Sequence, residues 1–452
     1  MDRPHVLVIP YPAQGHVKPL MELSHRLVEY GFKVTFLNTE FNHKRVMAAM
    51  SSRGDDKGGK ICMAAIPDGF GLEEDRNQHG KLIESMWNNM PGYLEEFIGK
   101  MMSDSNESKI KCVITDWTMA WALKVAAKMG IPRAAFWSSS AAILASVLHL
   151  PKLIEDKIVN DNGVPYINNQ MIKLSPSMPS MSTNQLVWMC MGKTNMQQEV
   201  FDLFIRINGT VELIDYFICN SFYELEPSVF ELFPNVQPIG PLLASSPGNF
   251  WKEDSTCLSW LDQQTSRSVI YVAFGSFTIF NKQQFEELAL GLELSGQPFL
   301  WVVRPDLTSG EAAVYPEGFI ERVASRGRMV SWAPQKNVLA HPSIACFLSH
   351  CGWNSTTEGL SVGVPFLCWP YFADQFLNES YICDVWKVGL KLVSDENGVI
   401  SRDEIKTKVD MLLGDNEIKT NTLKMKEQTM RSVSDDGTST KNLEEFIQKI
   451  KS

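Results

Sequence analysis

The same order of elements occurs twice in this chain of 452 residues, once near its start and once in its second half. In each case a short apolar run is followed by a glycine-containing loop, an amphipathic stretch and a second apolar run. Short continuous apolar runs are typical of strands buried on both faces of a parallel sheet, and a helix between two such strands makes a βαβ unit. The sequence therefore predicts an α/β protein with two Rossmann-like domains.

The first βαβ unit is expected at the amino end. Residues 5–9 form its first predicted strand, and residues 32–37 form its second. Pro19 lies near the expected helix start, and Gly31 follows the expected helix end. One face of this helix is apolar and is expected to pack on the sheet. The residues of that face are Leu20, Leu23, Leu27 and Val28.

The second βαβ unit is expected to open the second half of the chain. It has the same order of elements as the first, including a glycine in the loop after its opening strand. Its predicted elements are a strand at 268–274, a loop at 275–278, a helix at 282–295 and a strand at 299–304.

The domain boundary is expected between these two units. Residues 238–249 are rich in proline, glycine and serine and lack periodicity, which is typical of a linker. The boundary is therefore placed near residue 245, between domains 1–245 and 246–452. Residues 441–450 predict a final helix that packs back on the first domain through one apolar face. That face consists of Leu443, Phe446, Ile447 and Ile450.

Charge and cysteine content narrow the class of protein. The chain has 42 Lys and Arg against 52 Asp and Glu, a net charge of -10, which has the wrong sign for a nucleic-acid binder. No apolar stretch approaches the roughly 20 residues that a membrane span requires. The nine cysteines are odd in number and contain no Cys-x-x-Cys pair, which is typical of reduced thiols. We therefore expect a cytoplasmic protein, and we expect it to be a monomer.

One segment carries most of the chemical information. Residues 332–375 read WAPQKNVLAHPSIACFLSHCGWNSTTEGLSVGVPFLCWPYFADQ. Residues 344–349 predict a strand that runs through His350 and Gly352 into a helix. A glycine and small polar residues at a helix start expose backbone N–H groups and the positive end of the helix dipole, so a diphosphate can bind there. The alternative is an ordinary N-cap made by Asn354 or Ser355.

This segment closely resembles the signature box of plant UDP-sugar-dependent glycosyltransferases over its full 44 positions. The two-domain layout, the sequence HVKP that begins at His16, and Asp116 are also similar to that family. The resemblance implies a GT-B fold, in which two Rossmann-like domains face each other across a cleft. It also implies that the N-terminal domain binds the acceptor and that the C-terminal domain binds the UDP-sugar.

The resemblance implies a role for each matching residue of the donor site. An indole face stacks on a base, and a carboxylate accepts hydrogen bonds from vicinal hydroxyls, so the side chains suit these roles. For Trp332 and Trp353 the alternative is core packing. The implied contacts are Trp332 and Ala333 to uracil; Gln335 and Glu358 to ribose; Ser276, His350, Gly352, Asn354 and Ser355 to the phosphates; and Trp353, Asp374 and Gln375 to the sugar.

His16 is the candidate general base. It follows Gly15 after the first predicted strand and precedes a helix, and ligands of open α/β sheets gather at such strand ends. Inverting glycosyl transfer needs a base because the acceptor hydroxyl loses its proton as it attacks the anomeric carbon. Asp116 ends the apolar run 112–115 at another strand end, where it can orient His16 and stabilise its cation. The alternative for either residue is a loop hydrogen bond.

The donor is expected to be UDP-glucose, used as a co-substrate without a metal or other cofactor. The sequence has no His-x-x-x-His or Asp-x-Asp element, and the resemblance also implies metal independence. In the resembling family, a Gln at the last position of the box usually accompanies UDP-glucose, and a His accompanies UDP-galactose. The amide of Gln375 carries donors and an acceptor, so it can bridge neighbouring hydroxyls on one edge of glucose.

A small hydrophobic acceptor is expected, such as a flavonoid, another phenolic, a terpenoid or a hormone. Candidate contacts are Trp117, Met119, Trp137 and Met189, for which core packing is the alternative. The sequence leaves open attack by oxygen, nitrogen, sulfur or carbon. A dehydrogenase lacks support because no G-x-G-x-x-G follows either opening strand. A catalytically inactive UDP-sugar-binding protein remains the other alternative.

Overall fold

The computed structural model describes residues 3–51, 61–71, 74, 76, 79–103, 108–243, 253–305, 307 and 315–451. The chain forms two compact units. The first comprises Met1–Phe250 together with Arg431–Ser452, and the second comprises Trp251–Met430. The expected boundary near residue 245 lies outside the described residues.

Within the described ranges, the first unit is built on a seven-stranded parallel sheet in the order β3-β2-β1-β4-β5-β8-β9. A separate antiparallel pair, β6 and β7, lies outside that sheet. The strands are β1 (His5–Ile9), β2 (Lys33–Thr39), β3 (Ile61–Ile66), β4 (Ile110–Asp116), β5 (Arg133–Trp137), β6 (Met171–Ile172), β7 (Met181–Ser182), β8 (Tyr216–Cys219) and β9 (Val236–Pro238).

Helices connect these strands, as parallel pairing requires. Short 3-10 turns lie at Trp117–Met119, Thr183–Gln185 and Val211–Leu213. The helices are α1 (Gln14–Glu29), α2 (Glu40–Ser51), α3 (His79–Asn88), α4 (Met90–Ser103), α5 (Trp121–Lys128), α6 (Ala141–Leu148), α7 (Leu150–Glu155), α8 (Thr194–Asn208) and α9 (Pro227–Leu232).

The second unit has a six-stranded parallel sheet in its described part, in the order β12-β11-β10-β13-β14-β15. Its strands are β10 (Val269–Ala273), β11 (Phe299–Val302), β12 (Gly327–Val330), β13 (Ile344–Ser349), β14 (Phe366–Cys368) and β15 (Gly389–Lys391). Its helices are α10 (Thr256–Leu261), α11 (Lys282–Leu294), α12 (Phe319–Val323), α13 (Gln335–Leu339), α14 (Trp353–Val362), α15 (Gln375–Ser380), α16 (Arg402–Gly414) and α17 (Asn416–Ser432), with a π-helical turn at Tyr381–Val385.

The final helix, α18 (Thr438–Lys451), belongs to the first unit. Its amphipathic face packs into the same core as β1 and α1, and each large apolar side chain buried there contributes roughly 1.5–3 kcal/mol. Asn442 Nδ2 also donates to the Pro238 carbonyl over 2.8 Å. The buried residues of this face are Leu443, Phe446, Ile447 and Ile450.

The opening elements of both units follow the sequence closely, with one difference. The strand β1 has the predicted bounds, but α1 begins at Gln14, five residues before Pro19. Pro19 therefore lies inside the helix rather than near its start. Ala13 at the N-cap makes no side-chain hydrogen bond, so no capping residue marked this start in the sequence.

Both sheets reverse their strand order at an equivalent point. In the first unit the reversal lies between β1 and β4, and in the second it lies between β10 and β13. Ligands of open α/β sheets bind beyond the carboxyl ends of the strands at such a reversal. The fold therefore indicates that the loops after these four strands are candidate ligand-binding sites. Among the described helices, none is long and apolar enough to cross a membrane.

Candidate active site

His16 and Asp116 meet at the strand reversal of the first unit. Nδ1 of His16 lies 2.7 Å from Oδ2 of Asp116. His16 is in the first turn of α1, and Asp116 is the last residue of β4. The imidazole is 31% exposed, whereas the carboxylate is 1% exposed. A buried carboxylate that accepts from Nδ1–H places the lone pair of the neutral ring on Nε2.

The carboxylate of Asp116 is held by several donors. The backbone N–H and the hydroxyl of Thr118 donate to Oδ1 over 3.0 and 2.6 Å. Burial raises the pKa of Asp116, but the charge of His16 and the hydrogen bonds from His16 and Thr118 outweigh burial and leave this pKa below its ordinary value. Asp116 therefore stays ionised and fixed in orientation.

Ser138 is a member of this group that the sequence analysis missed. Its hydroxyl lies 3.0 Å from His16 Nδ1 and donates to Asp116 Oδ2 over 3.2 Å. Ser138 follows β5, which pairs with β4, so the strand order brings it to the catalytic candidates. Its position directly after the apolar run 134–137 was the only available signal, and many serines share such a position.

Tyr11 lies beside the ring of His16. The two ring centroids are 5.1 Å apart, with an interplanar angle of 53°. Burial, with a further contribution from the charge of Asp116, raises the pKa of Tyr11 to about 12. The Tyr11 hydroxyl therefore keeps its proton at neutral pH and packs against the imidazole as a neutral group.

The start of α14 forms the second candidate site. The chain leaves β13 at Ser349, and Cys351 adopts a positive φ of 63° before Gly352 becomes the N-cap. Gly352 has no side chain with which to cap this helix. Asn354 and Ser355 lie inside the first turn, so the alternative that one of them is the N-cap is wrong. The first turn of a helix carries backbone N–H groups and the positive end of the helix dipole, which suits an anion.

His350 lies between two glycine-containing loops. A Cβ added to Gly275 or Gly352 would lie 2.6 or 2.5 Å from its Nε2, so both positions need glycine. Burial lowers the pKa of His350 to about 4, and the nearby Arg304 guanidinium acts in the same direction. Nδ1 of His350 is buried and makes no hydrogen bond within the described part of the chain. A hydrogen bond with the Ala273 backbone opposes this lowering of the pKa. A histidine that stays neutral keeps one ring N–H with which it can donate to a phosphate.

The loop after β10 carries Ser276 next to Gly275. Arg304 follows the end of β11 and is 2% exposed. Its guanidinium donates to the carbonyl of Gly275 and, over 2.8 Å, to the carbonyl of Thr278. This buried arginine fixes the loop that presents Ser276, and the sequence analysis did not identify it.

Gln335, Ser355 and Glu358, three of the donor-site candidates, lie together. Gln335 is the first residue of α13, and the other two lie one turn apart on α14. Nε2 of Gln335 donates to Ser355 Oγ over 2.9 Å and to Glu358 Oε2 over 2.8 Å. The hydroxyl of Tyr271 donates to Oε1 of Gln335 over 3.2 Å. Tyr271 is a third residue, after Ser138 and Arg304, that the sequence analysis missed.

Trp332 and Ala333 lie between β12 and α13, next to Gln335. The carbonyl of Trp332 accepts from the backbone N–H of Asp254 over 2.8 Å, and its side chain is partly exposed. Ala333 is 4% exposed. Trp353 is also 4% exposed and packs at 6.4 Å from Trp386. The core-packing alternative thus describes Trp353 better than Trp332.

Asp374 and Gln375 lie at the start of α15. The amide oxygen of Gln375 accepts from the backbone N–H groups of Tyr371 and Phe372 over 2.8 and 3.1 Å. The expectation that this amide offers both donors and an acceptor to a sugar is therefore wrong, because its acceptor already holds the loop. Asn378 Nδ2 donates to Asp374 Oδ2 over 3.0 Å and to the Cys351 carbonyl over 2.9 Å. This amide links the sugar candidates to the turn before α14.

The acceptor candidates are mostly buried. Trp117 is fully buried, with its ring centroid 5.9 Å from that of Trp137, and it donates to Thr210 Oγ1 over 3.3 Å. Met119 is also almost completely buried, as the core-packing alternative expects for both residues. Trp137 is 5% exposed and donates to the Ser140 carbonyl. Met189 alone among these four is half-buried. In the ranges that the structure describes, no group of three His, Cys, Asp or Glu residues is arranged to hold a metal ion.

The sequence is similar to known proteins along nearly its whole length. The family described as UDP-glucoronosyl and UDP-glucosyl transferase matches residues 5–431. UDP-glycosyltransferase 83A1 of Arabidopsis thaliana is 45% identical, with 100% of this chain and 98% of that protein covered. The 7-deoxyloganetin glucosyltransferase of Catharanthus roseus is 35% identical, with 100% and 97% covered.

Solved structures agree with this similarity. A UDP-glucosyltransferase from Polygonum tinctorium, capable of glucosylating indoxyl and in complex with 3,4-dichloroaniline, has a TM-score of 0.86 at 28% identity, with 100% of this chain and 99% of that chain covered. Os79 from O. sativa in complex with UDP has a TM-score of 0.80 at 26% identity, with 98% and 100% covered. The predicted GT-B class with two Rossmann-like domains is confirmed. This chain therefore belongs to the UDP-glucoronosyl and UDP-glucosyl transferase family and is a UDP-glycosyltransferase.

Proposed function

We propose that this enzyme transfers glucose from UDP-glucose to a hydroxyl of a small hydrophobic acceptor, with inversion at the anomeric carbon. The observation that carries the proposal is the 2.7 Å contact between His16 Nδ1 and Asp116 Oδ2. A histidine whose Nδ1 is bound to a buried carboxylate is oriented to accept a proton at Nε2. This pair favours an enzyme over a catalytically inactive UDP-sugar-binding protein.

The chemical step is a single displacement. Nε2 of His16 takes the proton of the acceptor hydroxyl while its oxygen attacks the anomeric carbon. The bond from that carbon to the diphosphate oxygen breaks, and its electron pair leaves with UDP. The buried carboxylate of Asp116 stabilises the imidazolium that forms. Because the donor is α-linked, the product is a β-glucoside.

The donor contacts are proposed for the second unit. Gln335 and Glu358 hold the ribose hydroxyls, and Trp332 with Ala333 holds the uracil. The start of α14 supplies the positive charge that the departing diphosphate needs, through the positive end of its dipole. This stabilisation supports a reaction that proceeds without a metal ion. The remaining proposed contacts are Ser276, His350, Gly352, Asn354 and Ser355 to the phosphates and Trp353, Asp374 and Gln375 to the glucose.

The acceptor is proposed to be a small, largely apolar molecule with a nucleophilic hydroxyl. Relatives with names such as 7-deoxyloganetin glucosyltransferase support a small acceptor. Of the four candidate contacts, Trp137 and Met189 are proposed to touch it, and Trp117 packs behind Trp137. Transfer to nitrogen, sulfur or carbon is the second candidate function, since the related enzyme solved with 3,4-dichloroaniline binds a nitrogen compound.

Incubation of the full chain with UDP-glucose and a panel of phenolics, terpenoids and hormones tests this proposal. Mass spectrometry is expected to show the gain of one hexose on at least one hydroxylated acceptor and the release of UDP. The His16→Ala variant is the matched control and should give far less product. Hydrolysis of UDP-glucose alone, or no turnover with any panel member, would contradict the proposal.

A further inference from the structure

The side-chain amide of Gln335 has only one orientation that satisfies its neighbours. Its Nε2 faces two acceptors, Ser355 Oγ at 2.9 Å and Glu358 Oε2 at 2.8 Å. Turning the amide by half a rotation would place its oxygen against the carboxylate of Glu358, which repels it. The last bond of a Gln side chain has a broad torsional preference, so a donor on the opposite side would narrow the range of positions that the amide occupies.

Tyr271 supplies that donor. Its hydroxyl lies 3.2 Å from Oε1 of Gln335, and the residue is 1% exposed. Burial, with a further contribution from the charge of Glu358, raises the pKa of Tyr271 well above its ordinary value. The hydroxyl therefore keeps its proton and remains a donor.

The ring of Tyr271 is rigidly held by the sheet. Tyr271 on β10 is paired in register with Phe347 on β13, and their rings stack with centroids 5.0 Å apart at an interplanar angle of 27°. The hydroxyl thus has a position fixed by two central strands rather than by a loop. Such a support defines the position of Gln335 better than a flexible surface group would.

The geometry points to Tyr271 as a positioning residue for nucleotide recognition: its hydroxyl orients Gln335 so that Gln335 and Glu358 hold the two ribose hydroxyls together. This inference rests on the proposed ribose contacts of Gln335 and Glu358. It adds a residue that touches neither the nucleotide nor the reacting atoms. Its removal should therefore weaken the binding of ligands that carry ribose hydroxyls and leave kcat unchanged.

The test compares UDP with 2′,3′-dideoxy-UDP by calorimetric titration of the full chain. Tyr271→Phe keeps the ring and its stacking and removes only the hydroxyl. It is expected to weaken UDP binding roughly threefold to tenfold, the effect of one lost hydrogen bond, and to leave dideoxy-UDP binding unchanged. KM for UDP-glucose should rise by a similar factor. In a Gln335→Ala background, Tyr271→Phe should have no further effect, because the hydroxyl acts through Gln335.

Tyr315→Phe is the matched control. Tyr315 lies in the same unit and packs against Phe285, Trp301 and Phe319. Its substitution should change the affinity of neither ligand. If Tyr271→Phe weakens both ligands equally, or weakens neither, the positioning role is overturned.

Glu358→Ala separates that failure from a failure of the ribose assignment. In the unmodified enzyme UDP should bind more tightly than dideoxy-UDP, and Glu358→Ala should remove this preference. An enzyme without the preference, or one that keeps it in Glu358→Ala, would overturn the ribose assignment and the inference built on it. If Glu358→Ala loses the preference for UDP over dideoxy-UDP but Tyr271→Phe binds both ligands as the unmodified enzyme does, only the role of Tyr271 is overturned.

Discussion

Nδ1 of His16 contacts Oδ2 of Asp116 over 2.7 Å, and this contact fixes which nitrogen of His16 can act as a base. Asp116 cannot turn away, because Thr118 donates to its other oxygen through both N–H and hydroxyl. Ser138 lies within hydrogen-bonding distance of both members of the pair. A base held in one tautomer and orientation needs little reorganisation when the acceptor binds.

The first prediction concerns the two members of this pair. His16→Ala should lower kcat by at least about 10²-fold, the usual contribution of a general base, and leave the Kd for UDP unchanged. Asp116→Asn should lower kcat less. Steady-state kinetics with a weakly acidic alcohol measures this, because a strongly acidic phenol ionises without a base. Near-full turnover of His16→Ala on such an alcohol would show that the base is another group.

The second prediction concerns metal ions. The positive end of the α14 dipole and the neutral donors around it should stabilise the departing diphosphate. Activity should therefore survive an excess of chelator. A complete loss that magnesium or manganese restores would contradict this and would indicate a metal on the diphosphate.

The third prediction concerns the donor sugar. The amide oxygen of Gln375 holds Tyr371 and Phe372, so its NH2 group is what remains to meet a sugar hydroxyl. Turning the 4-hydroxyl from equatorial to axial would leave this donor unmatched, at a cost of about 1–3 kcal/mol. We expect kcat/KM for UDP-glucose to exceed that for UDP-galactose by roughly tenfold or more.

Two variants of Gln375 check this assignment. Gln375→Ala should narrow the ratio of the two donors mainly by lowering kcat/KM for UDP-glucose. Gln375→Glu keeps an oxygen for the loop N–H groups but loses the NH2 donor, so it should narrow the ratio as well. An unchanged ratio in both variants would remove Gln375 from the sugar site.

The fourth prediction concerns Gly352. A methyl group at this position would lie 2.5 Å from His350 Nε2, and the φ of -63° is compatible with alanine, so the variant tests contact rather than backbone strain. Overpacking of this kind costs about 1–3 kcal/mol. Because His350 must move to admit the methyl group, Gly352→Ala should lose the proposed phosphate contact of His350 and weaken UDP binding by about tenfold, the effect of one lost hydrogen bond. Gly414→Ala is the control, because its methyl group would meet no atom within 4 Å.

The fifth prediction concerns the pH dependence of stability. Burial raises the pKa of Glu379 from 4.5 to about 7; Lys391 opposes this shift and Asp384 adds to it. Between these two values the folded state keeps a proton that the unfolded state releases. The free energy of unfolding should therefore fall as pH rises through this window. The upper limit of this decrease is about 3 kcal/mol, and solvent screening of the partly exposed side chain should make it smaller.

Urea denaturation of the unmodified protein and of Glu379→Gln at about pH 5 and about pH 8 measures this effect. The neutral variant should unfold like the unmodified protein at the lower pH and be the more stable of the two at the higher pH. If the free energies of unfolding of the two proteins differ by the same amount at both pH values, the pH dependence does not come from Glu379.

The sequence predicted the parts of this molecule that depend on local pattern. The strand β13 has its predicted bounds, and His16 and Asp116 were expected to meet because both follow strand ends in a parallel sheet. Tyr271 and Ser138 were missed because a buried tyrosine in a strand and a serine after one have ordinary roles in most proteins. Only the pairing of β10 with β13, and of β4 with β5, brings them to the site.

The orientation of side chains was also beyond the sequence. Gln375 was expected to offer an acceptor to the sugar, but its oxygen binds the loop before its own helix. Trp117 and Met119 follow Asp116 directly, yet the 3-10 turn at Trp117–Met119 buries them in the core. The spacing of residues in the sequence indicates which residues lie near one another. The direction in which each side chain points depends on the packing of elements that are distant in sequence.

The most direct measurement is the anomeric configuration of the first-formed product, determined by proton NMR during turnover of UDP-glucose with an accepted alcohol. A single displacement driven by His16 predicts a β-glucoside, with the unmodified enzyme forming it at least about 10²-fold faster than His16→Ala. An α-glucoside as the first product, or a β-glucoside formed at the same rate by both proteins, would contradict this account of the reaction.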